Sequence, residues 1–161
     1  MDAVTEELRA LVGRRAVYTA PDEVGRASIR YFARAVGDPC RLYVDADYAR
    51  EHGYEDVIAP PTFVCETNQY MPGEPDRDGY PGHSWGIELE GTRMIRGGHE
   101  YEFHRPLYPS DVIAATWTIT DVFAKEGSSG RLTFLVSEAR YTNQRAQLIA
   151  VNRETLIFQE I

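Results

Sequence analysis

Gly37-Asp38-Pro39-Cys40-Arg41-Leu42-Tyr43-Val44-Asp45 and, seventeen residues after Tyr43, Pro60-Pro61-Thr62-Phe63 are the stretches on which the fold of this chain turns. Just upstream, Ile29, Phe32, Ala33 and Val36 fall on one face of a helix that Ser28 can N-cap and that Gly37 ends. Asp38-Pro39 then opens a loop, and an aspartate after a helix-ending glycine is in isolation a turn former or a cap. Asp45 caps a segment from Ala46 to His52 closed by Gly53. Pro60-Pro61 opens a second, apolar helix that runs through Phe63, Val64 and Asn68 to Tyr70. A proline there starts the helix and, having no backbone N–H, also removes a hydrogen-bond donor.

Outward from this centre, Ala3, Val4, Leu8, Leu11 and Val12 recur at helical spacing over residues 2–12, ended by Gly13, and predict a short amphipathic helix on the outside of the fold. Residues 15–20 read as a first strand. Pro72, Gly73, Pro75, Gly79, Pro81 and Gly82 break any regular element between Met71 and Gly86, which predicts a long loop. His83 and Trp85 in that loop are either surface anchors or the flank of a ligand channel.

Beyond Gly91 the pattern becomes β. Thr92 to Arg105, Val112 to Phe123, Leu132 to Thr142 and Leu148 to Phe158 are long alternating runs, the last three predicting a meander. Gly127-Ser128-Ser129-Gly130 and Asn143-Gln144-Arg145 supply its turns. In Thr133 to Ser137 the alternation predicts one buried and one wetter sheet face. Gly97-Gly98 within a strand marks a bulge or a close approach of backbone or ligand. Arg105 to Asp111 is a tight connection in which Asp111 can bond the turn. His99, Glu100, Glu102 and His104 alternate, but their spacing matches no zinc motif, so no metal site is expected.

The 161 residues suffice for one domain, residues 1–161, with one substantial core. With 17 Lys and Arg against 25 Asp and Glu, the net charge of −8 disfavours nucleic acid and anionic membrane surfaces as partners. No apolar run is long enough for a membrane span, and residues 1–10 lack a signal-peptide core. Cys40 and Cys65 therefore read as reduced thiols of a cytoplasmic protein.

GDPCRLYVDADYAR, VIAPPTFV and RGGHEYEFHRPLYPSD, which together touch residues 37–111, resemble the MaoC-like dehydratases, the (R)-specific enoyl-CoA hydratases and 3-hydroxyacyl dehydratases, and most closely their N-terminal, FAS1-like dehydratase domains. The resemblance implies an α+β hot-dog fold, an antiparallel sheet wrapped around a central helix. It also implies an acyl-thioester site, on coenzyme A or an acyl carrier protein, that needs no cofactor. In that family an Asp and a His five positions apart hold the reacting water, and a glycine N–H polarises the thioester carbonyl. Asp38 keeps the first place, Tyr43 stands at the His position and Pro61 at the glycine position. A phenol with a reference pKa near ~10 is a poor base at neutral pH. A lost oxyanion donor typically raises the barrier by about 2.7–4 kcal/mol. Cys40-Arg41 replace the family's Asn-Pro.

The expectation is a substrate-shaping subunit acting on long or bulky acyl-CoA in lipid metabolism, in a heterodimer or heterotetramer with a catalytic MaoC-like chain, or otherwise a homodimer. The rival readings are a homodimeric hydratase that uses Asp38 with a non-standard base, Tyr43 or His83, and a non-enzymatic acyl-CoA binding subunit. Asp38 is the candidate catalytic residue. Tyr43, Pro60, Pro61, Thr62, Phe63, His83, Trp85, Gly97, Gly98 and His99 are the candidate substrate-binding residues.

Overall fold

A computed structural model describes residues 3–68, 74–75, 79–128 and 130–161. Of the expected elements, Asp2, the helix end at Tyr70, Met71 to Gly73 of the loop and Ser129 of the hairpin lie outside the described residues. In chain order come α1 (Ala3–Arg9), β1 (Arg15–Thr19), α2 (Arg26–Ala35), a 3-10 turn (Arg41–Tyr43), α3 (Ala46–Glu51), a 3-10 helix (Pro61–Asn68), β2 (Thr92–Phe103), β3 (Ala114–Gly127), β4 (Gly130–Thr142) and β5 (Leu148–Glu160). The strands form one antiparallel sheet in the order β1-β3-β4-β5-β2.

The meander forms as its alternation predicts, and the Gly127–Gly130 pair closes its first hairpin. Asn143 holds the second turn, its side-chain oxygen accepting from the Arg145 and Gln147 N–H groups, both at 3.0 Å. On β4 the buried face carries Thr133, Leu135, Ser137, Ala139 and Tyr141, while Phe134 and Val136 stand on the half-buried face. Buried Phe63 and Val64 of the Pro61–Asn68 helix join Ile29, Ile113, Ile119 and Leu135 in one apolar cluster, so that helix lies within the core. Among the described residues no helix is long and apolar enough to cross a membrane.

Several boundaries move for tertiary reasons. Helix α2 begins at Arg26 with Gly25 as its N-cap, and Ser28 makes no cap. Gly25 at φ +73° and Val24 are tied by their N–H groups to the Pro109 and Asp111 carbonyls, which fixes the entry angle from outside the helix. Val36 is exposed rather than on the buried face. The second apolar helix is 3-10 rather than α: Phe63 N–H bonds the Pro60 carbonyl at 2.9 Å, and the Thr67 hydroxyl donates to the Val64 carbonyl at 2.7 Å. β2 stops at Phe103 because the His104 and Arg105 N–H groups both turn onto the Ile149 carbonyl. β3 starts at Ala114 because Val112 N–H is taken by the Gln144 side chain and the Ile113 carbonyl by Ala20 N–H. Asp45 caps α3 as read, accepting from Tyr48 N–H at 3.0 Å.

Candidate functional site

The structure distributes the eleven sequence-identified residues over three places. The first is the motif loop. Asp38 Oδ1 accepts from Cys40 N–H at 3.0 Å, an Asx turn that folds the chain back so that Tyr43 reaches the interior. Tyr43 is buried near the Asp38 carboxylate. Burial first and then the Asp38 charge push its phenol up to about 12, so at neutral pH it keeps its proton and is not a base.

Tyr43 lines a cavity of about 300 Å³ with Ile58, Ala59, Pro60, Pro61, Phe103, His104, Arg105, Pro106, Leu107 and Ile149. The cavity exists because Ile58 N–H bonds the Leu42 carbonyl and Ala59 N–H the Leu107 carbonyl, clamping the strip before Pro60 between the motif loop and the turn after β2. Pro61 begins its helix without an N–H to offer, and the next turn's Phe63 N–H is already used by Pro60. Thr62 is exposed. Phe63 points into the core, edge-on to Phe32 with ring centroids 5.1 Å apart.

His104 is the residue that sequence reading missed in this cavity. Its imidazole lies 3.3 Å from Glu102 and lines the wall formed by the end of β2. The signal was the run His99 to His104, which strand alternation assigns to two faces but which does not tell which face meets the motif loop.

The second place is the bulge in β2. Arg96 pairs with Leu156 and Gly98 with Thr155, so one residue is inserted at Gly97. A Cβ on Gly97 would stand 2.8 Å from the Ile157 Cδ1 and 3.1 Å from the Thr155 carbonyl oxygen, so glycine is required by close approach. His99 follows on the inner face, its ring facing Asn152 and Glu154.

The third place is the opposite edge of the sheet, at β1 and β3. His83 shares a 2.9 Å hydrogen bond with the Tyr18 hydroxyl, stacks on Trp117 at 4.5 Å and meets Trp85 edge-on at 4.4 Å. Burial, with a smaller push from the Arg14 guanidinium, drives its imidazole down to about 4. His83 therefore anchors its loop as a neutral ring, away from Tyr43 and Pro61. Trp85 also lines the edge of a wide cleft of about 840 Å³ whose floor is Met94, Leu156 and Phe158. Among the described residues, no group of three or more His, Cys, Asp or Glu side chains is placed to hold a metal ion. Neither Cys40 nor Cys65 is in a disulfide, and the Cys65 thiol meets the Tyr101 hydroxyl.

Comparison with known proteins gives this geometry a setting. The sequence model of the family described as "FAS1-like, dehydratase domain region" matches residues 10–152. A UPF0336 protein of Streptomyces coelicolor is 38% identical over 120 residues, covering 74% of this chain and 76% of that one. The crystal structure of the ChsH1-ChsH2 complex from Mycobacterium tuberculosis superposes with a TM-score of 0.72 at 18% identity, over 98% of this chain and 90% of that one. The HadBC (3R-hydroxyacyl-ACP dehydratase) complex from the same organism superposes with a TM-score of 0.65 at 25% identity, over 89% and 96%. The sheet and its enclosed helix are thus those of the hot-dog dehydratases and hydratases.

Proposed function

The chain belongs to the FAS1-like dehydratase domain family, and from that premise we propose that it is the substrate-shaping subunit of an (R)-specific hydratase or dehydratase of long or bulky enoyl-CoA thioesters, paired with a catalytic MaoC-like chain. The observation that carries this reading is the state of the motif. Tyr43 keeps its proton at neutral pH, and Pro61 brings no N–H to the cavity. On this reading neither residue can supply the base or the oxyanion donor that the family's chemistry draws from those two positions.

In this reading the partner supplies the histidine that takes a proton from water, the oxygen adds to C3 of the enoyl chain, and a proton is delivered to C2. The partner's own backbone N–H holds the thioester oxygen. This chain contributes the walls of the cavity between Tyr43, Pro60, Phe103 and Leu107. Similar folds found as the ChsH1-ChsH2 and HadBC complexes support a heteromer. The long exposed edge of β2 supports it too, since an unpaired strand edge takes up a partner strand. Two cysteines outside any disulfide suit a reducing compartment, the cytoplasm.

A second reading is favoured by one observation: His104 shares the cavity with Tyr43, and a histidine there can act as a base for a self-sufficient homodimer. Hydration of crotonyl-CoA and of a long-chain enoyl-CoA, followed by loss of enoyl absorbance, separates the two. Turnover only when the catalytic chain is added supports the auxiliary subunit. Turnover by the isolated chain that is lost in Asp38→Asn or His104→Ala sinks it. Thioester binding with no turnover in either setting leaves a binding subunit.

A further inference from the structure

We propose that the inner face of β2 carries a recognition site for an oxygen-bearing group, a hydroxyl or carbonyl, on the acyl chain of the thioester, built by Arg96, His99, Asn152, Glu154 and Ser137. This inference rests on the reading of the chain as an acyl-thioester subunit and specifies which acyl groups it selects.

The site is made by the bulge. In an uninterrupted strand, residues three apart point to opposite faces. The extra residue at Gly97 reverses that parity, so Arg96 and His99 both stand on the inner face, beside Glu154 of β5. Glu154 is 4% exposed, yet its Oε1 accepts from Arg96 Nη1 at 2.9 Å and lies 3.7 Å from His99 Nε2. Asn152, also buried, faces His99 Nδ1 from the next inner position. Ser137 sits directly across from Glu154 on β4, fully buried, and its hydroxyl has no partner.

Only the Glu154 half of this pair is buried, and burying a carboxylate costs desolvation that a half-exposed guanidinium offsets only in part. An orphan hydroxyl beside it adds a further loss, and native proteins leave few such groups without a use. Arg96 and His99 keep 50% and 35% of their side chains exposed, so the cluster is open on its outer side.

Its position gives the ligand class. The inner row of β2 runs Met94, Arg96, His99, Tyr101, Phe103. Phe103 lines the cavity at the motif loop, and Met94 lies on the floor of the wide cleft at the other end. Four residues of strand separate Phe103 from His99, about 13 Å at the usual rise. A long acyl chain held by its thioester beside Pro60 and running along this face crosses the cluster near its middle. A plain methylene there would strip water from charged groups and return nothing. A hydroxyl would donate to Glu154 and accept from Arg96 or His99, and a carbonyl would accept from both.

The test is the affinity of the purified chain for stearoyl-CoA and for a hydroxystearoyl-CoA with its hydroxyl near mid-chain, read by calorimetry. The hydroxylated thioester binds roughly tenfold tighter, the worth of one hydrogen bond to a charged group. Arg96→Met and His99→Phe, both at partly exposed positions, each shrink that preference, in part by tightening stearoyl-CoA binding, because the methylene then strips water from one charged group fewer. Equal affinity for the two thioesters, or a preference untouched by both variants, overturns the inference and leaves the thioester reading standing. Binding of neither thioester overturns both.

Discussion

The two edges of the sheet are built on opposite principles. β1 is five residues long, and the chain around it is self-contained: Gly13 at one end bonds Ile119 of β3 and Ala20 at the other bonds Ile113 just before it, Leu8 of α1 is buried, and the His83 ring wedges between Tyr18 and Trp117. β2 is twelve residues long, open over nearly its whole length, and shows Met94, Ile95 and Phe103 to solvent. A short edge finished by its own loop needs nothing more, whereas a long open one is a template for another strand. The candidate cavity and the polar cluster both lie on the open side. Under the proposed function, that arrangement puts the acyl-binding surface where a partner would complete it.

The sharpest way to break the closed side is Trp117→Ala. Removing a buried indole that carries the His83 stack destabilises the chain by about 3–5 kcal/mol, read from urea unfolding. A loss under ~1 kcal/mol would mean that the stack does not hold this end together. The same wedge makes stability depend on pH. The His83 imidazole is held down at about 4 when folded and titrates near its ordinary 6.5 when unfolded. The unfolded chain therefore binds a proton first. Stability is complete above pH 6.5 and falls as pH drops from there toward 4, by no more than about 3 kcal/mol given the ring's partial contact with solvent. Melting temperatures over that range check it, and His83→Gln should flatten the slope.

On the open side, Gly97→Val drives a side chain into Ile157 and the Thr155 carbonyl and destabilises the chain by about 1–3 kcal/mol. It should also distort the bulge and the Arg96 and His99 side chains beside it, which near-ultraviolet dichroism and loss of any partner complex would report. The mildest and most selective comparison sets Ile95→Lys against Val17→Lys, exposed outer-face positions on the two edges. Each changes monomer stability by less than about 0.5 kcal/mol. Only Ile95→Lys should abolish association with a catalytic chain in size-exclusion chromatography. Equal effects on association would remove the distinction between the edges.

Legibility followed the range of the forces involved. The four long strands, the α3 cap at Asp45, the hairpin at Gly127 and the bulge at Gly97-Gly98 were readable because each is set by alternation or by a local side-chain bond. Ser28 was misread as a cap because the bonds that start α2 come from Pro109 and Asp111, far along the chain. The helix at Pro61 was read as α because its apolar spacing is compatible with both helix types, and its hydrogen bonds chose the tighter one. In the site, the turn at Asp38 and the place of Pro61 at a helix start followed from local residue type, whereas His104 could not be found. Its membership of the cavity depends on where β2 ends against Ile149.

The sequence by itself determined the strand set, the motif loop and the presence of a phenol at position 43 and of a residue without an N–H at position 61, because residue type alone decides whether a side chain readily takes a proton or a backbone N–H exists. Tertiary structure decided which histidine is buried and neutral, which one lines the cavity, and that Arg96 and His99 converge on Glu154. Those outcomes depend on strand order and burial, which arise only when residues distant in the chain are packed together.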